Sequence, residues 1–242
     1  NVVLLARRQA VLDEVAAAIR AGTGVEARTV AVDLAAPDAM AQTVEATAGL
    51  AVGMVMYNAG GDPHYEPFLA NPVERALAMT QRNCLVPLQV CHHFGSAMVA
   101  RGTGGIVVVS SGAGLVGAPN IVAYGATKAF DIVMAEGLWA ELQGTGVDVL
   151  SLVLGATDTP AFRRMLVNRG ALGVDDATPL PGVATVEDVV AEAIANLANG
   201  PTWFAGEHMR EGAQRLRALP RGEAVRMMLD GVSVMDPHGD AE

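Results

Sequence analysis

The sequence predicts an α/β domain built on a doubly wound parallel sheet, and three observations support this prediction. Short runs rich in Val, Leu and Ile alternate along the chain with amphipathic helical segments. The strand-like runs are near-continuous in Val and Leu, which is typical of parallel strands covered on both faces. The 242 residues are 51% hydrophobic and only 17% charged, which favours a large folded domain over a disordered chain. We therefore expect a single domain over residues 1–235 and a loose acidic tail over 236–242.

The individual elements follow from local patterns. Residues 8–21 are apolar at helical spacing, and Gly22 is expected to close this helix. Pro37 suits the first turn of a second helix, and Thr185, with Asp188 three residues later, suits an N-cap. The predicted strands cover 2–5, 27–32, 52–56, 106–109, 147–154 and 202–205. The predicted helices cover 8–21, 37–48, 72–100, 121–142, 159–169 and 186–197, and the Met-rich segment 209–229 is also helical in pattern.

Composition excludes several classes of partner. With 26 acidic and 16 basic residues, the net charge of −10 argues against nucleic acid or an anionic membrane surface. Apolar runs stay shorter than the roughly 18 residues of a membrane span, and no signal-peptide pattern opens the chain. Cys84 and Cys91 are separated by about 10 Å on a helix, which is beyond disulfide reach. We expect a cytoplasmic protein, and no His, Cys or Asp spacing predicts a metal site.

One pair of side chains carries recognisable chemistry. Tyr124 and Lys128 are four residues apart in a helical segment, so both lie on one helix face. The positive charge of an ammonium group favours phenolate, which lowers a tyrosine pKa from about 10 towards working pH. A tyrosine tuned in this way transfers protons. The segment follows a predicted strand and a glycine-rich turn that begins at Ser110 and Ser111, which places it at a strand end.

In the order of its motifs the sequence resembles the short-chain dehydrogenases/reductases, in their single-domain branch. The Tyr-x-x-x-Lys motif of that family is Tyr124 and Lys128, and the serine that the family places 13 residues earlier is Ser111 rather than Ser110. Three further motifs match in the same order. They are Asp33-Leu34, Asn58-Ala59-Gly60 and Gly155-Ala156-Thr157-Asp158-Thr159, the last with Leu154 in place of the usual proline.

The resemblance implies a Rossmann-like fold and an oxidoreductase that transfers a hydride between a nicotinamide cofactor and a carbonyl or secondary alcohol. Tyr124 would exchange a proton with the substrate oxygen, which Ser111 would hold, and Lys128 would lower the tyrosine pKa and bind the nicotinamide ribose. Ligands are expected at the carboxyl ends of the strands, where each motif lies. The residues implied in cofactor binding are Asp33, Leu34, Asn58, Ala59, Gly60, Tyr124, Lys128, Thr157 and Thr159.

Asn83 is a candidate for a separate reason. Pro87 lies inside the long helical segment 72–100 and has no N–H to donate, so the carbonyl group of Asn83, four residues earlier, is expected to lack its helical partner. A free carbonyl in a kinked helix suits an ordered water molecule. The resemblance places its catalytic relay asparagine at this position. The alternative is that Pro87 merely bends the helix.

The end of the first strand bears on cofactor choice. NAD-preferring sites place an acidic residue there to bind the ribose 2′-hydroxyl, whereas arginine accommodates the 2′-phosphate of NADP. Here the strand ends in Ala6-Arg7-Arg8 without an acidic residue. We therefore predict NADP, with NAD possible, and Arg7 as the principal contact. The alternative is that both arginines only begin a surface helix.

A glycine-rich phosphate-binding turn, which opens proteins of this family, does not occur in the sequence. Gly22-Thr23-Gly24 ends a helix, and Gly112-Ala113-Gly114 belongs to the active-site loop. The corresponding strand and helix would contribute on the order of 30 residues and a central strand. Without them the strands at 2–5 and 27–32 are expected to lack a bridge to the strand at 52–56. Our interpretation is that the sequence is truncated at its N-terminus.

Substrate and assembly are indicated only weakly. The segment 160–182 occupies the place of a substrate lid, and Phe162, Met165 and Leu166 would give it an apolar lining suited to a hydrophobic ketone or alcohol, unless they are core residues. His64 and Tyr65 border the expected pocket or form a plain surface loop. The segment 209–229 departs from the usual end of the family. We expect a homodimer through helices 72–100 and 122–142, or a homotetramer.

Two other functions are compatible with parts of the sequence. A non-catalytic protein that senses a dinucleotide could share the fold, since fold does not imply function, but it would not need Asn83, Ser111, Tyr124 and Lys128 together. An epimerase or dehydratase of the longer branch usually has a larger carboxyl-terminal substrate domain, and only 83 residues follow Thr159. The sequence therefore favours the oxidoreductase.

Overall fold

A computed structural model describes residues 1–61, 65–168 and 170–233. Its strands and helices alternate as predicted. The strands are β1 (Val2–Ala6), β2 (Ala27–Ala31), β3 (Met54–Tyr57), β4 (Gly104–Ser111), β5 (Val147–Leu154) and β6 (Thr202–Phe204). The helices are α1 (Gln9–Thr23), α2 (Ala39–Ala46), α3 (Val73–Thr80), α4 (Val86–Arg101), α5 (Val122–Glu141), α6 (Pro160–Asn168), α7 (Val186–Ala195), α8 (Glu207–Ala218) and α9 (Arg221–Ser233). The tail expected over 236–242 lies outside the described residues.

Local chemistry explains most helix boundaries. The Thr185 hydroxyl accepts a hydrogen bond from the backbone N–H of Asp188 (3.1 Å), which confirms the predicted N-cap of α7. The prediction that Gly22 closes α1 is wrong. The helix continues to Thr23 and ends at Gly24, whose φ of 72° lies in the left-handed region that glycine adopts without a steric penalty.

The predicted helical segment 72–100, with a distortion at Pro87, agrees with the structure, which is helical from Val73 to Arg101 with an irregular turn before the proline. A π turn over Gln81–Leu85 separates α3 from α4, and Pro87 occupies the first turn of α4. Proline is tolerated in a first turn because the N–H that it lacks would have no partner within the helix. The irregularity thus falls where the missing proline N–H predicted it. It turns Asn83 towards the interior, where its side chain is fully buried.

The strands form two parallel sheets. One contains β1 and β2, and the other has the order β3-β4-β5-β6. Within the described residues no strand joins β1 to β3, as expected for this sequence. In the larger sheet Tyr57 pairs with Val108 and Ser111 pairs with Leu154. The carboxyl end of β4 therefore extends three residues beyond that of β3, and Ser111 stands at the edge where α/β proteins bind ligands.

Helices cover both faces of the larger sheet, which confirms the doubly wound parallel architecture. On one face Ile106, Val108 and Val149 pack with Val86, Val90, Phe94 and Met98 of α4. On the other face Val107, Leu150 and Leu152 pack with Val189 and Ala193 of α7. The central strands are buried on both sides, which explains why they are largely apolar, although β4 ends in two serines and β5 contains Asp148 and Ser151.

The Glu192 carboxylate fixes α7 to the elements that follow it. It accepts hydrogen bonds from Trp203 Nε1 (2.9 Å), from the backbone N–H of Gly206 and from Arg210 Nη1 (2.8 Å). These contacts join α7, β6 and α8. They place the start of α8 at the carboxyl ends of β4 and β5, next to the glycine-rich loop that follows Ser111.

Candidate active site

The two adjacent serines at the end of β4 have different environments. Ser110 is 3% exposed, and its hydroxyl donates to the backbone carbonyl of Lys128 (2.8 Å). Ser111 is half-buried, and its Oγ accepts from the backbone N–H of Ala113 (3.2 Å), which starts a short 3₁₀ turn. Ser110 therefore ties β4 to α5, while Ser111 remains partly exposed at the carboxyl end of the strand.

Two glycines allow the loop to lie directly on α5. A Cβ atom at Gly114 would lie 2.6 Å from the backbone nitrogen of Ala129, and one at Gly125 would lie 2.8 Å from the carbonyl oxygen of Ala113. Both distances are shorter than any real Cβ contact, and the obstructing atoms are backbone atoms that cannot rotate away. The glycines therefore hold the serine turn against the helix that carries Tyr124 and Lys128.

Lys128 is deeply buried on α5. Its side chain is 4% exposed, and Nζ donates to the carbonyl oxygen of Val109 and to Oδ2 of Asp131, both at 2.9 Å. Tyr124, one turn earlier, is half-buried, and its carbonyl oxygen accepts from the Thr127 hydroxyl (2.8 Å). The predicted phenol and ammonium pair thus stands on a single face of α5, with the ammonium group held from inside the protein.

Asp131 was missed by the sequence reasoning. It is 1% exposed, its Oδ2 binds Lys128, and its Oδ1 has no hydrogen-bond partner. Burial raises the pKa of the Asp131 carboxyl from 3.8 to about 6, although the neighbouring Lys128 ammonium acts in the opposite direction. The i, i+3 spacing from Lys128 was visible in the sequence, but a solvated carboxylate at that spacing would have looked the same.

Asn83 also reaches this cluster, through two hydrogen bonds of its side chain. Its Nδ2 donates to the Thr127 hydroxyl (3.0 Å), and its Oδ1 accepts from Arg82 Nε (3.0 Å). Arg82 Nη2 in turn donates to the carbonyl oxygen of Gly61 (2.7 Å). The π turn thereby links α5 to the end of the Asn-Ala-Gly segment. The role of Arg82 could not be read from the sequence, because it depends on this loop returning to the helix.

Gly60 leaves the space that Lys128 occupies. A Cβ atom at this position would lie 2.9 Å from Lys128 Nζ and 3.6 Å from Asn83 Oδ1. A side chain here would therefore displace the ammonium group. Gly60, Asn83, Lys128 and Asp131 form one contiguous cluster behind the half-buried Tyr124 and Ser111.

The remaining predicted cofactor residues stand at strand ends. Arg7 is exposed just after β1, and Asp33 is exposed just after β2, with its Oδ1 accepting from the backbone N–H of Ala35 (3.0 Å). Asn58 is exposed and Ala59 half-buried after β3, whereas Leu34 packs against the core. Arg7 and Asp33 thus follow the smaller sheet, whereas the Lys128 cluster lies beside β4 of the larger sheet.

Thr157 and Thr159 lead into the predicted lid. Thr157 pairs with Ala184 in an isolated parallel bridge, and the Thr159 hydroxyl accepts from the backbone N–H of Phe162 (3.1 Å) at the start of α6. Phe162, like Met165 and Leu166, is half-buried. His64 lies outside the described residues, and Tyr65 is half-buried with a φ of 52°.

Arg163 ties together the segment 160–182 that was predicted as a lid. Its guanidinium group donates two hydrogen bonds of 2.6 Å to the Asp158 carboxylate and further bonds to the carbonyl oxygens of Asp176 (2.8 Å) and Thr178 (3.1 Å). The bond from Arg163 lowers the pKa of Asp158, and bonds from Thr178 lower that of Asp176. A single side chain thus joins α6 to the Gly/Pro loop that follows it.

The carboxyl-terminal helices reach the active-site loop, which the sequence did not predict. A Cβ atom at Gly112 would lie 2.9 Å from Met209 Cε, and one at Gly155 would lie 3.4 Å from Met209 Sδ. Arg221 Nη1 donates to the carbonyl oxygen of Leu115 (2.8 Å). The Met209 thioether therefore forms part of the wall beside Ser111.

Residues 1–61, 65–168 and 170–233 contain neither a candidate metal site nor a candidate membrane span. In that part of the chain no group of three or more His, Cys, Asp and Glu side chains could hold a metal ion. No helix among the same residues is both long and apolar enough for a membrane span. Cys84 and Cys91 are buried free thiols, which confirms that they do not form a disulfide.

The family model for short chain dehydrogenases matches residues 1–169, and the chain belongs to this family. It is an NAD(P)-dependent oxidoreductase that acts on a hydroxyl or carbonyl group. Among curated relatives, the 7beta-hydroxysteroid dehydrogenase of Collinsella aerofaciens is 32% identical over 218 residues, which are 90% of this chain and 81% of the relative. The 7beta-hydroxysteroid dehydrogenase of Clostridium sardiniense is 30% identical over 227 residues, covering 93% and 83% respectively.

Solved structures agree with this assignment. A structure from a study of 7beta-hydroxysteroid dehydrogenase stereoselectivity superposes with a TM-score of 0.84 at 32% identity, covering 94% of this chain and 86% of that one. A short-chain dehydrogenase from Sphingobium yanoikuyae in complex with NADPH shares the fold, with a TM-score of 0.74 at 24% identity over 99% of this chain and 88% of that one. The comparisons give no support to a non-catalytic dinucleotide sensor.

Proposed function

We propose that the protein interconverts a bulky apolar ketone and its secondary alcohol with NADP(H), and that hydroxysteroids are the substrate class to test first. The observation that carries the proposal is the buried Lys128 ammonium group one helical turn from Tyr124, with Ser111 at the adjoining strand end. The similarity to 7beta-hydroxysteroid dehydrogenases supports the steroid class. The Met209 thioether beside Ser111 adds apolar surface of the kind that a steroid needs.

In the proposed reduction, Ser111 holds the carbonyl oxygen while Tyr124 donates a proton to it, and the product is the alcohol. The bound nicotinamide supplies the hydride that reaches the carbonyl carbon. Lys128 stabilises the phenolate left on Tyr124 through its positive charge. Asn83 is proposed to complete the relay that returns a proton to Tyr124. In the reverse direction each group acts in the opposite sense.

The residues present fit the nicotinamide ribose end of the cofactor. Gly60 carries no Cβ where one would lie 2.9 Å from Lys128 Nζ, so the ammonium group reaches the edge at which Asn58 and Ala59 lie. Asp33, Leu34, Thr157 and Thr159 are proposed as further contacts. The sequence itself contributes no glycine-rich turn for the pyrophosphate.

A ketone screen with paired variants tests the activity. NADPH oxidation should appear with a ketosteroid or another bulky ketone, and Tyr124→Phe should lower kcat by about 10²–10⁴-fold while NADPH binding persists. Ser111→Ala should also lose activity. Its neighbour provides a matched control, because Ser110→Ala should lower thermal stability more than kcat. Full turnover in Tyr124→Phe would contradict the proposed mechanism, and no turnover in the wild type would contradict the proposed function.

The preference for NADP is proposed from Arg7, which follows β1 where an NAD enzyme would carry an acidic residue. Arg7→Ala should reduce kcat/KM for NADPH more than for NADH. Arg8→Ala, at the adjacent exposed position, is the control. Equal efficiency of the wild type with NADH and NADPH would refute the preference.

For assembly we propose a dimer through the long helices, with a tetramer as the other expected state. Large apolar side chains are exposed on these helices, including Leu77 (61%), Leu88 (47%) and Val133 (67%). Val133→Glu should dissociate a dimer formed through α5, as measured by analytical ultracentrifugation. A cytoplasmic location is proposed from the net charge of −10 and the free cysteines.

A further inference from the structure

Lys128 is the only lysine in the sequence, and it lies in one of the least accessible places in the protein. All the other Lys and Arg residues of the sequence are arginines. Burying an ammonium group is costly unless an anion and hydrogen bonds replace its water. Val109 supplies a neutral carbonyl oxygen, and Asp131 supplies the anion.

Asp131 is poorly explained as a stabilising residue. Its Oδ1 is buried without a hydrogen-bond partner, which is unfavourable for folding. A buried ion pair is also weak evidence for stability, because an apolar pair of similar volume is often at least as stable. The single partner of this carboxylate is Lys128 Nζ, at 2.9 Å. Asp131 therefore contributes more to holding Lys128 in place than to the stability of the core.

Two hydrogen bonds fix the position of the Lys128 ammonium group. An ammonium group has three N–H donors, and Val109 and Asp131 accept two of them. Gly60 leaves space on a further side of Nζ, since a Cβ there would approach to 2.9 Å. Asp131 and Val109 thus hold Lys128 from the interior, and Gly60 lies beside the ammonium group without a side chain.

We propose that Asp131 is a positioning residue for the reaction, which keeps the Lys128 ammonium group charged and fixed beneath Tyr124. The proposal rests on the proposed function, in which Lys128 acts on Tyr124 and on the cofactor. Loss of the carboxylate leaves the buried ammonium group with a neutral acceptor alone, so its position is no longer fixed. Tyr124 then loses a positive charge held in the place from which it stabilises the phenolate.

The other titratable groups around Asp131 do not replace it. Tyr57 of β3, Cys84 of the π turn and Cys91 of α4 all face the carboxylate. Burial raises the pKa of Cys84 to about 11 and that of Cys91 to about 12, and it also raises the pKa of Tyr57. All three are neutral near pH 7. Arg82, which acts on Tyr57, adds a cation rather than an anion.

The single lysine allows a direct test. In protein labelled with ¹³C-lysine, one side-chain NMR signal reports Lys128, and Lys128→Arg removes it for assignment. In Asp131→Asn this signal should move and broaden at pH 7, because the ammonium group loses the charged acceptor that fixes it. Asp148→Asn, an exposed position on β5, should leave it unchanged. Identical Lys128 signals in the wild type and Asp131→Asn would overturn the proposal.

A second variant guards against misfolding. Asp131→Glu retains the anion but cannot keep the 2.9 Å geometry without displacing the lysine, so its Lys128 signal should lie between those of the wild type and Asp131→Asn. If Asp131→Asn does not fold, this variant decides alone. A Glu variant whose Lys128 signal and kcat both match those of the wild type would then count against the proposal.

Kinetics separate positioning from simple stabilisation. The kcat of Asp131→Asn for ketone reduction should fall by at least about 10-fold, and its decline on the alkaline side should begin at lower pH, with little change in KM. A merely structural role would reduce the folded fraction without moving the pH profile. If the wild type reduces no ketone at all, the proposed function fails while the NMR comparison still tests the Asp131–Lys128 link.

Discussion

Gly60→Ala is the most direct perturbation of the cluster behind Tyr124. The new methyl carbon would lie 2.9 Å from Lys128 Nζ and 3.3 Å from its Cε, while ordinary contacts begin at 3.4 Å. The ammonium group must therefore retreat by about 0.5 Å, which stretches hydrogen bonds that are now 2.9 Å towards the limit of about 3.2 Å or beyond.

The cost of this displacement follows from the two bonds. A hydrogen bond to a charged group contributes about 1.5–3 kcal/mol, so losing half of each amounts to about 1.5–3 kcal/mol. For a chain of this size that lowers the Tm by roughly 3–12 °C. Thermal unfolding followed by circular dichroism measures the shift, and NADPH binding should weaken in parallel because Lys128 no longer reaches its place.

Gly53→Ala is the matched control at the opposite end of β3. Gly53 has an ordinary φ, and no atom lies within 4 Å of the position where its Cβ would stand. This variant should remain within about 1 kcal/mol of the wild type, with any gain coming from a less flexible unfolded chain. Equal stability of Gly60→Ala and Gly53→Ala would refute the reasoning, because it would mean that the Lys128 side chain moves without cost.

Further predictions concern backbone fit, the lid and pH. Gly137→Ala, on an exposed part of α5 with no atom near the position of its Cβ, should raise the unfolding free energy by about 0.5–1 kcal/mol. Gly114→Ala should prevent folding, because its Cβ would overlap backbone atoms. Urea denaturation compares the two variants. Arg163→Ala should accelerate proteolytic cleavage within 160–183 relative to the control Arg164→Ala. The direction in which stability changes with pH follows from the burial of Asp131, which raises the pKa of its carboxyl group in the folded state. The carboxyl group therefore favours folding below about pH 4 and loses that contribution as pH rises to about 6. Relative to the wild type, Asp131→Asn should gain up to about 3 kcal/mol of unfolding free energy between pH 4 and 7, measured by urea denaturation at each pH. A constant difference would contradict the raised pKa.

Periodicity explains why the fold could be predicted. Parallel strands buried on both faces are largely apolar, and the middle of β4 and most of β5 follow this pattern. The Thr185 cap depends only on a hydroxyl three residues from a backbone N–H, so it was predictable too. The end of α1 was misplaced because Gly22 and Gly24 are equally plausible in sequence, and the left-handed φ at Gly24 decides between them.

Contacts between distant segments could not be predicted in the same way. The bond from Asn83 to Thr127 spans 44 positions, and Arg221 reaches Leu115 across 106. Met209 meets Gly112 only because Glu192 joins α7 to α8. Each depends on how the chain returns to the same strand edge, and no local spacing encodes that path.

The sequence by itself determined the α/β class, the strand ends at which the motifs lie, and the common helix face of Tyr124 and Lys128, because helical and strand periods are local properties. The tertiary structure decided that Ser110 is committed to the backbone of α5, that Asn83 is buried in a π turn, and that Lys128 is held by a carboxylate with an unpartnered oxygen. The physical reason is that burial depends on segments far apart in the chain. A lysine followed three residues later by an aspartate has the same sequence whether the pair is solvated or enclosed, and only packing makes Asp131 part of the site.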